Sequence, residues 1–215
     1  MDSFRLICLQ MELECMRLDD QRNIIRLHCE NPDEMHRVFA VRYEGEEAVL
    51  FQAGLPEGLR KKLAQIPFDE FFTAPKQIRA VLAEHAPCPG YFVGKSYIFP
   101  DNLSAALYTR AIPLVDVKPD FDTAKGAGFA VVEDGQVVST CESSHESASA
   151  GEAWVQTLEA YRRRGYARQV TLAWAHHLQR QGKVPFYSHL WNNLASQSLA
   201  ESMGLIQFLD AAGYA

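Results

Sequence analysis

The sequence predicts an α/β (α+β) fold, with a smaller N-terminal α/β lobe over residues 1–100 and a larger domain over residues 101–215. Three observations point there. A helical apolar period from Ala167 to Gln181 is followed directly by the β-prone run Val184 to His189, so helix and strand alternate. Asp134-Gly135 separates two further β-prone runs, as a tight hairpin turn with positive φ requires. Four arginines crowd the point where a strand hands over to the long helix, in Tyr161-Arg162-Arg163-Arg164-Gly165-Tyr166-Ala167-Arg168. The 215 residues, 47% hydrophobic and 22% charged, suffice for a substantial core in one larger domain or two small lobes.

Apolar residues at Phe4, Ile7, Cys8, Met11, Cys15 and Leu18 fall near helical spacing, so the opening stretch to Leu18 reads as an amphipathic helix. Phe39 to Tyr43 and Ala48 to Phe51 straddle Glu44-Gly45 as a hairpin. Pro56 and Pro75 open helices reaching Ile66 and His85, because a proline at the first helical position removes an N–H that has no partner anyway. Gly90 to Phe99 reads as a strand closed by Pro100. Asp101 to Lys125 is a connector containing Pro and Asp, with Ala105 to Ile112 as its structured part.

Phe129 to Val132 and Val137 to Cys141 form the Asp-Gly hairpin, and the polar stretch Glu142 to Ala150 reads as a loop. Ala153 to Leu158 is the next strand, its alternation placing Ala153, Val155 and Thr157 on one face and Trp154, Gln156 and Leu158 on the other. In the helix that follows, Val170, Ala173, Trp174, His177 and Leu178 share one face, and Gly182 ends it. Leu194 to Met203 is a short helix with Asn193 at its N-cap and Gly204 at its stop, before a last strand from Leu205 to Leu209.

The arginine-rich turn is electrostatically backwards. A helix start carries partial positive charge and unsatisfied N–H groups, so cations there are unfavourable unless an anion sits among them. Gly165 lets main chain approach a ligand closely and Ala167 adds little bulk, so the expected guest is a phosphate or pyrophosphate held by main-chain N–H groups. The competing reading is a solvated basic turn.

The pattern around the turn decides between them. Val155-x-Thr157, then Arg162-x-x-Gly165-x-Ala167, a helix, a strand, and Asn193-x-x-Ser196-x-x-Leu199-Ala200-x-x-x-Gly204-Leu205 resemble the GNAT superfamily of acyl-CoA-dependent N-acyltransferases, over about Phe129 to Phe208. The resemblance implies a mixed, mostly antiparallel sheet flanked by helices, and acetyl-CoA as acyl donor for an amine acceptor. It implies that Arg162, Arg163, Arg164, Gly165, Tyr166 and Ala167 surround the pyrophosphate. Val155 and Thr157 would then align the pantetheine arm, and Asn193 and Ser196 would belong to a second cofactor-contacting element. A strand pair splayed into a V, between Val155–Thr157 and Val184–His189, would admit the thioester. The tyrosine that protonates the departing thiolate in many relatives is replaced by Ala200, so Ser196 and Tyr187 stand as candidate acids. Glu152 is the first candidate base, with Glu142 and Glu146 as competitors. The connector Asp101 to Lys125 is expected to cover the acceptor cleft. The family adds one more strand than this sequence supplies, which leaves a sheet edge for the N-terminal lobe or another subunit to cover.

Composition narrows the partners. A net charge of −6 argues against nucleic acid, whose binding is dominated by phosphate neutralisation, and no run is long and apolar enough for a bilayer. Five cysteines without Cys-x-x-Cys spacing suggest neither a disulfide framework nor a zinc site, and read as reduced, buried small hydrophobes in a cytoplasmic protein. The histidines form no ligand-spaced set, so no metal is expected. The expected partners are a small-molecule or peptide amine acceptor and, as an assembly, a homodimer. A non-catalytic acyl-CoA-binding or interaction module on the same fold is the alternative. A nucleotide-binding domain is a second rival, but no Walker-type Gly-x-x-x-x-Gly-Lys-Ser/Thr accompanies the turn.

Overall fold

A computed structural model describes residues 2–27, 36–119, 121 and 128–215, arranged in two compact units. The first comprises Met1–Ser96, His189–Asn192 and Phe208–Ala215; the second comprises Tyr97–Ser188 and Asn193–Gln207.

The first unit opens with α1 (Ser3–Leu13), capped by the Asp2 carboxylate on Arg5 N, and the small antiparallel pair β1 (Met16–Leu18) and β2 (Ile24–Arg26). The opening helix therefore ends well before Leu18. Cys15 takes a left-handed φ of 59° and reverses the chain, after which short β1 reuses apolar positions that had read as helical. Cys15 is also disulfide-bonded, against the expectation of reduced cysteines, while Cys8, Cys88 and Cys141 are free. Residue spacing identifies local metal and redox motifs, whereas a disulfide joins positions that only the fold brings together.

The hairpin β3 (Val38–Tyr43) and β4 (Glu46–Phe51) pairs in register through Glu44-Gly45, both with positive φ. Helices α2 (Glu57–Ala64), α3 (Glu70–Thr73) and α4 (Pro75–Ala83) follow, then β5 (Tyr91–Ile98). Leu59, Leu63, Ile78 and Leu82 bury their faces with Val38, Phe71 and Tyr214. Arg37 closes this unit from inside, donating to the carbonyls of Leu82, Ala86, Pro87 and Ala215 at 2.8–3.3 Å.

The second unit contains β6 (Ile112–Pro113), β7 (Gly128–Glu133), β8 (Gln136–Glu146), β9 (Ala150–Thr157), α5 (Tyr166–Arg180), β10 (Val184–Leu190) and α6 (Leu194–Ser202). Its strand order is β10-β9-β8-β7-β6, antiparallel except for the parallel pair β9 and β10, so the sheet is mixed and mostly antiparallel. Asp134 and Gly135, at φ 49° and 80°, make the expected tight turn between β7 and β8.

The stretch from Glu142 to Ala150 is largely strand rather than loop, since β8 runs to Glu146 and β9 begins at Ala150. Its polarity conceals burial. Ser143 is fully buried, accepting from Trp174 Nε1 at 3.0 Å and donating to Glu146 Oε2 at 2.6 Å, so a polar side chain sits in the core with its bonds made. Trp174 is itself wholly buried, edge-on to Phe99, in a core shared with Val170, Leu172 and Leu178.

The described part of the connector lies along α5. Gln179 donates to the Pro100 carbonyl (2.9 Å) and accepts from Leu103 N (3.5 Å), while the Arg110 main chain donates to Gln169 Oε1 (2.9 Å). The cleft-covering role expected for residues 101–125 extends over 120 and 122–125, which are outside the described residues.

The last strand, β11 (Ile206–Tyr214), is longer than the sequence suggested. In the first unit it lies between β3 and β5, and Asp210–Tyr214 pair antiparallel with Val38–Arg42. The edge that the short C-terminus would leave is thus met by β3 of the N-terminal segment.

Candidate functional site

β9 leads through a short 3-10 turn at Glu159–Tyr161 into the arginine-rich bend. Arg162 is extended, Arg163 takes φ 60° and Gly165 takes φ 80°. The left-handed value at Gly165 is free of Cβ strain, but at Arg163 a long side chain holds a conformation that costs about 1–2 kcal/mol. Left-handed residues at 163 and 165, on either side of Arg164, bend the main chain sharply at the helix entry, as anion-binding turns of successive N–H groups do. Gly165 is the N-cap of α5, with no side-chain capping bond and no acidic residue in the first turn. The positive end of a four-turn helix is therefore left for something other than its own side chains.

Three of the four guanidinium groups are each fixed at one point on the main chain. Arg162 Nε donates to the Thr157 carbonyl (3.4 Å), Arg164 Nη2 to that of Ala160 (3.2 Å) and Arg168 Nε to that of Ser202 (3.1 Å). Arg164 also lies over the Tyr161 ring at 5.0 Å. Each keeps other donors for a ligand, because a guanidinium has five N–H groups in a rigid fork.

The bend forms one wall of a groove of about 1380 Å³. Val155 and Thr157 of β9 and Tyr187 of β10 line it, and Asn193 and Ser196 come from α6. Arg162, Arg163, Arg164, Gly165, Tyr166 and Ala167 complete the contact between expected residues and groove. The opening between the strands has a clear origin. β9 and β10 pair only at Ala150–Glu152 with Val184–Phe186, although both strands run on beyond those residues. Past Glu152 and Phe186 the two backbones part, leaving the β9 edge from Ala153 to Thr157 unpaired on that side.

Asn193 Oδ1 accepts from Ser196 N at 3.1 Å, so its capping role is realised while it lines the groove. Tyr187 is 4% exposed and donates to the Ser196 main-chain oxygen at 3.4 Å. Burial pushes its hydroxyl up to about 12, partly offset by the bond to Ser196, with the nearby Glu152 charge adding to the rise.

Glu152 does not line the groove. It is half-buried at the last position of β9 that pairs with β10, while the groove is lined by Val155, Gln156 and Thr157 further along the strand. Of its competitors, Glu142 is buried, whereas Glu146 is held below the usual carboxylate range. Burial of Glu146 acts upward, but hydrogen bonds from Lys183 and Ser143 and the Lys183 charge outweigh it. That is opposite to the shift a base at neutral pH requires. Among the described residues no group of three or more His, Cys, Asp or Glu is placed to hold a metal ion, and no helix is long and apolar enough to cross a membrane.

Two contributors escaped the sequence. Arg110, from the connector, stacks over the Tyr166 ring at 5.0 Å and donates to its hydroxyl at 3.4 Å, clamping the first residue of α5 while pairing with Glu133. Ala195, Ser198, Leu199 and Ser202 form one face of α6 turned to the groove, a stripe whose i, i+3, i+4, i+7 spacing was the available signal.

Residues 117–208 match the family model described as GNAT acetyltransferase. Solved structures are similar at low identity. A GNAT-family protein of Novosphingobium aromaticivorans aligns with TM-score 0.49 and 16% identity over 60% of this chain and 66%, just under two thirds, of that one. A GCN5-related N-acetyltransferase-like protein of Streptococcus suis aligns with TM-score 0.45 and 16% identity over 100% and 93% of the two chains. A GNAT-family acetyltransferase of Colwellia psychrerythraea gives 0.46 and 12% over 98% and 94%. No curated protein matches the chain. The family match spans the parted strands, the basic bend and α6, and marks residues 117–208 as similar to the GNAT acetyltransferases.

Proposed function

We propose that the protein is an N-acetyltransferase that binds acetyl-CoA in the groove and transfers the acetyl group directly to an amine on a small molecule or peptide. The observation that carries the proposal is the uncapped N-terminus of α5, set beneath four arginines where β9 parts from β10. A diphosphate supplies the anion that this bend lacks, held by main-chain N–H groups and by free guanidinium donors. The unpaired β9 edge offers main-chain groups to an amide-rich pantetheine arm, as a neighbouring strand would.

In this reading β9 also directs an N–H group at the oxygen that becomes negative when the amine nitrogen attacks the thioester carbonyl carbon. Glu152, off the groove wall at the point where the strands part, takes through an intervening water the proton that the incoming ammonium must lose. As the C–S bond breaks, Tyr187 donates a hydrogen bond to the departing sulfur, and its raised pKa keeps that proton in place throughout the physiological range. Ser196 is the alternative donor, since it lines the same wall. The setting we propose is cytoplasmic, and a homodimer is the assembly to test by sedimentation.

Release of free thiol from acetyl-CoA across a panel of amines, with Glu152→Gln as control, tests the reaction. Turnover on at least one amine, diminished in the variant, is expected. Tight binding with no turnover on any amine would establish the non-catalytic module instead, and no heat of binding in calorimetry would overturn both. A thermal shift with acetyl-CoA but none with ATP is expected, because only a ligand of the native state raises apparent stability.

A further inference from the structure

The groove holds more positive charge than a diphosphate uses. Arg162, Arg163, Arg164 and Arg168 line it against one carboxylate, that of Glu159. A diphosphate diester carries two negative charges and is served largely by the main-chain donors of the bend. Arg168 stands apart from the other three. It is the third residue of α5, and its Nε is bound to the carbonyl of Ser202, the last residue of α6. The negative end of α6 favours a cation at that point and fixes the direction of the fork. Both Nη groups remain for a ligand among the described residues.

Beside Arg168, the α6 face presents Ser198 one helical turn before Ser202. The two serines differ chemically. Ser202 Oγ donates to the Leu199 carbonyl at 2.7 Å, so it has no proton left to offer an anion, whereas the exposed Ser198 hydroxyl can donate. The Nη donors of a guanidinium held at the end of α6, with a hydroxyl donor on the same α6 wall, fit a second anion.

We infer that Arg168 and Ser198 form a phosphomonoester subsite that reads the 3′-phosphate on the ribose of the donor, so that the protein selects coenzyme A thioesters over their 3′-dephospho forms. The inference rests on the acetyl-CoA reading of the groove. Selectivity comes from geometry as well as charge, because a dianionic monoester accepts two parallel N–H bonds from one guanidinium.

Calorimetric titration of the full chain with acetyl-CoA and with 3′-dephospho-acetyl-CoA tests it. The unaltered protein is expected to bind acetyl-CoA at least about tenfold more tightly, one charge-assisted contact being worth that much. Arg168→Met should erase most of this preference by weakening acetyl-CoA alone, with the dephospho ligand held within about twofold. Ser198→Ala, which leaves the Arg168–Ser202 bond in place, should lower the preference by about two- to fivefold. Equal affinity of the unaltered protein for the two ligands overturns this inference and leaves the acetyl-CoA reading standing. Equal weakening of both ligands in Arg168→Met assigns Arg168 to capping α6 and also overturns it. Failure of both ligands to bind the unaltered protein overturns the acetyl-CoA reading itself, and the subsite with it.

Discussion

The Tyr187 hydroxyl donates to the main-chain oxygen of Ser196 across 3.4 Å, joining β10 to the first turn of α6 at the wall of the groove. Two residues selected separately from the sequence as candidate acids are therefore joined, side chain to main chain. The bond holds the Tyr187 ring where the strands part.

Tyr187→Phe keeps the ring and removes the donor. On the proposed mechanism kcat should fall by about 10²-fold, within the usual range for a lost hydrogen-bond donor to developing charge, while acetyl-CoA affinity changes less than about threefold. Stopped-flow thiol release together with calorimetry separates the two effects. With the hydroxyl pushed up to about 12, Tyr187 should impose no loss of activity between pH 7 and about 10.

Gly165→Ala tests the bend. A Cβ there would meet nothing within 4 Å, so the cost is one of backbone conformation at φ 80°, about 1–2 kcal/mol. Thermal unfolding should drop by several degrees, at roughly 2–4 °C per kcal/mol for a chain of this size. Acetyl-CoA affinity should fall with it, because relaxation of φ at this residue turns the anion-facing N–H groups aside. Unchanged affinity in a folded variant would show that the bend does not grip the ligand.

Lys183 and Glu146, 2.6 Å apart, bring a pH dependence with a definite sign. Glu146 has its folded-state pKa lowered, so the pair contributes stability above the unfolded carboxylate value and loses it as pH falls through the folded one. Lys183→Met removes the partner and leaves the upward effect of burial. Acid unfolding of that variant should begin at a higher pH, as followed by circular dichroism from pH 6 downward.

Arg37 is a stability residue in the first unit, 9% exposed and shared among four carbonyls. Arg37→Met keeps much of the stem but removes a charged donor shared by four carbonyls, hydrogen bonds to a charged group being worth roughly 1.5–3 kcal/mol. Urea unfolding should show a loss of about 2 kcal/mol, within the usual range for a single destabilising substitution.

Much of the site was legible because its elements are local. The Arg162-x-x-Gly165-x-Ala167 spacing, the Asp134-Gly135 turn and the Asn193 cap each depend on neighbours within a few residues, and each adopts the expected conformation. Glu152 shows the limit of that kind of reading. Its place at the start of β9 was legible, but the strands part only beyond it, which leaves it off the groove lining, and its competitor Glu146 is tied to Lys183. Ser143 shows another limit, since a serine reads as loop until Trp174 and Glu146 are seen to satisfy its hydroxyl inside the core.

Local chemistry along the chain determined that a helix would start without an acidic cap amid arginines and would need an anion there. Hydrogen-bonding and conformational preferences of adjacent residues are enough to specify such a feature. The tertiary structure alone decided that β9 and β10 separate after three paired residues, that Arg168 meets the end of α6, that Arg110 clamps Tyr166, and that β11 is met by β3. Those contacts join residues far apart in sequence, and their energies depend on burial and geometry that no local spacing encodes.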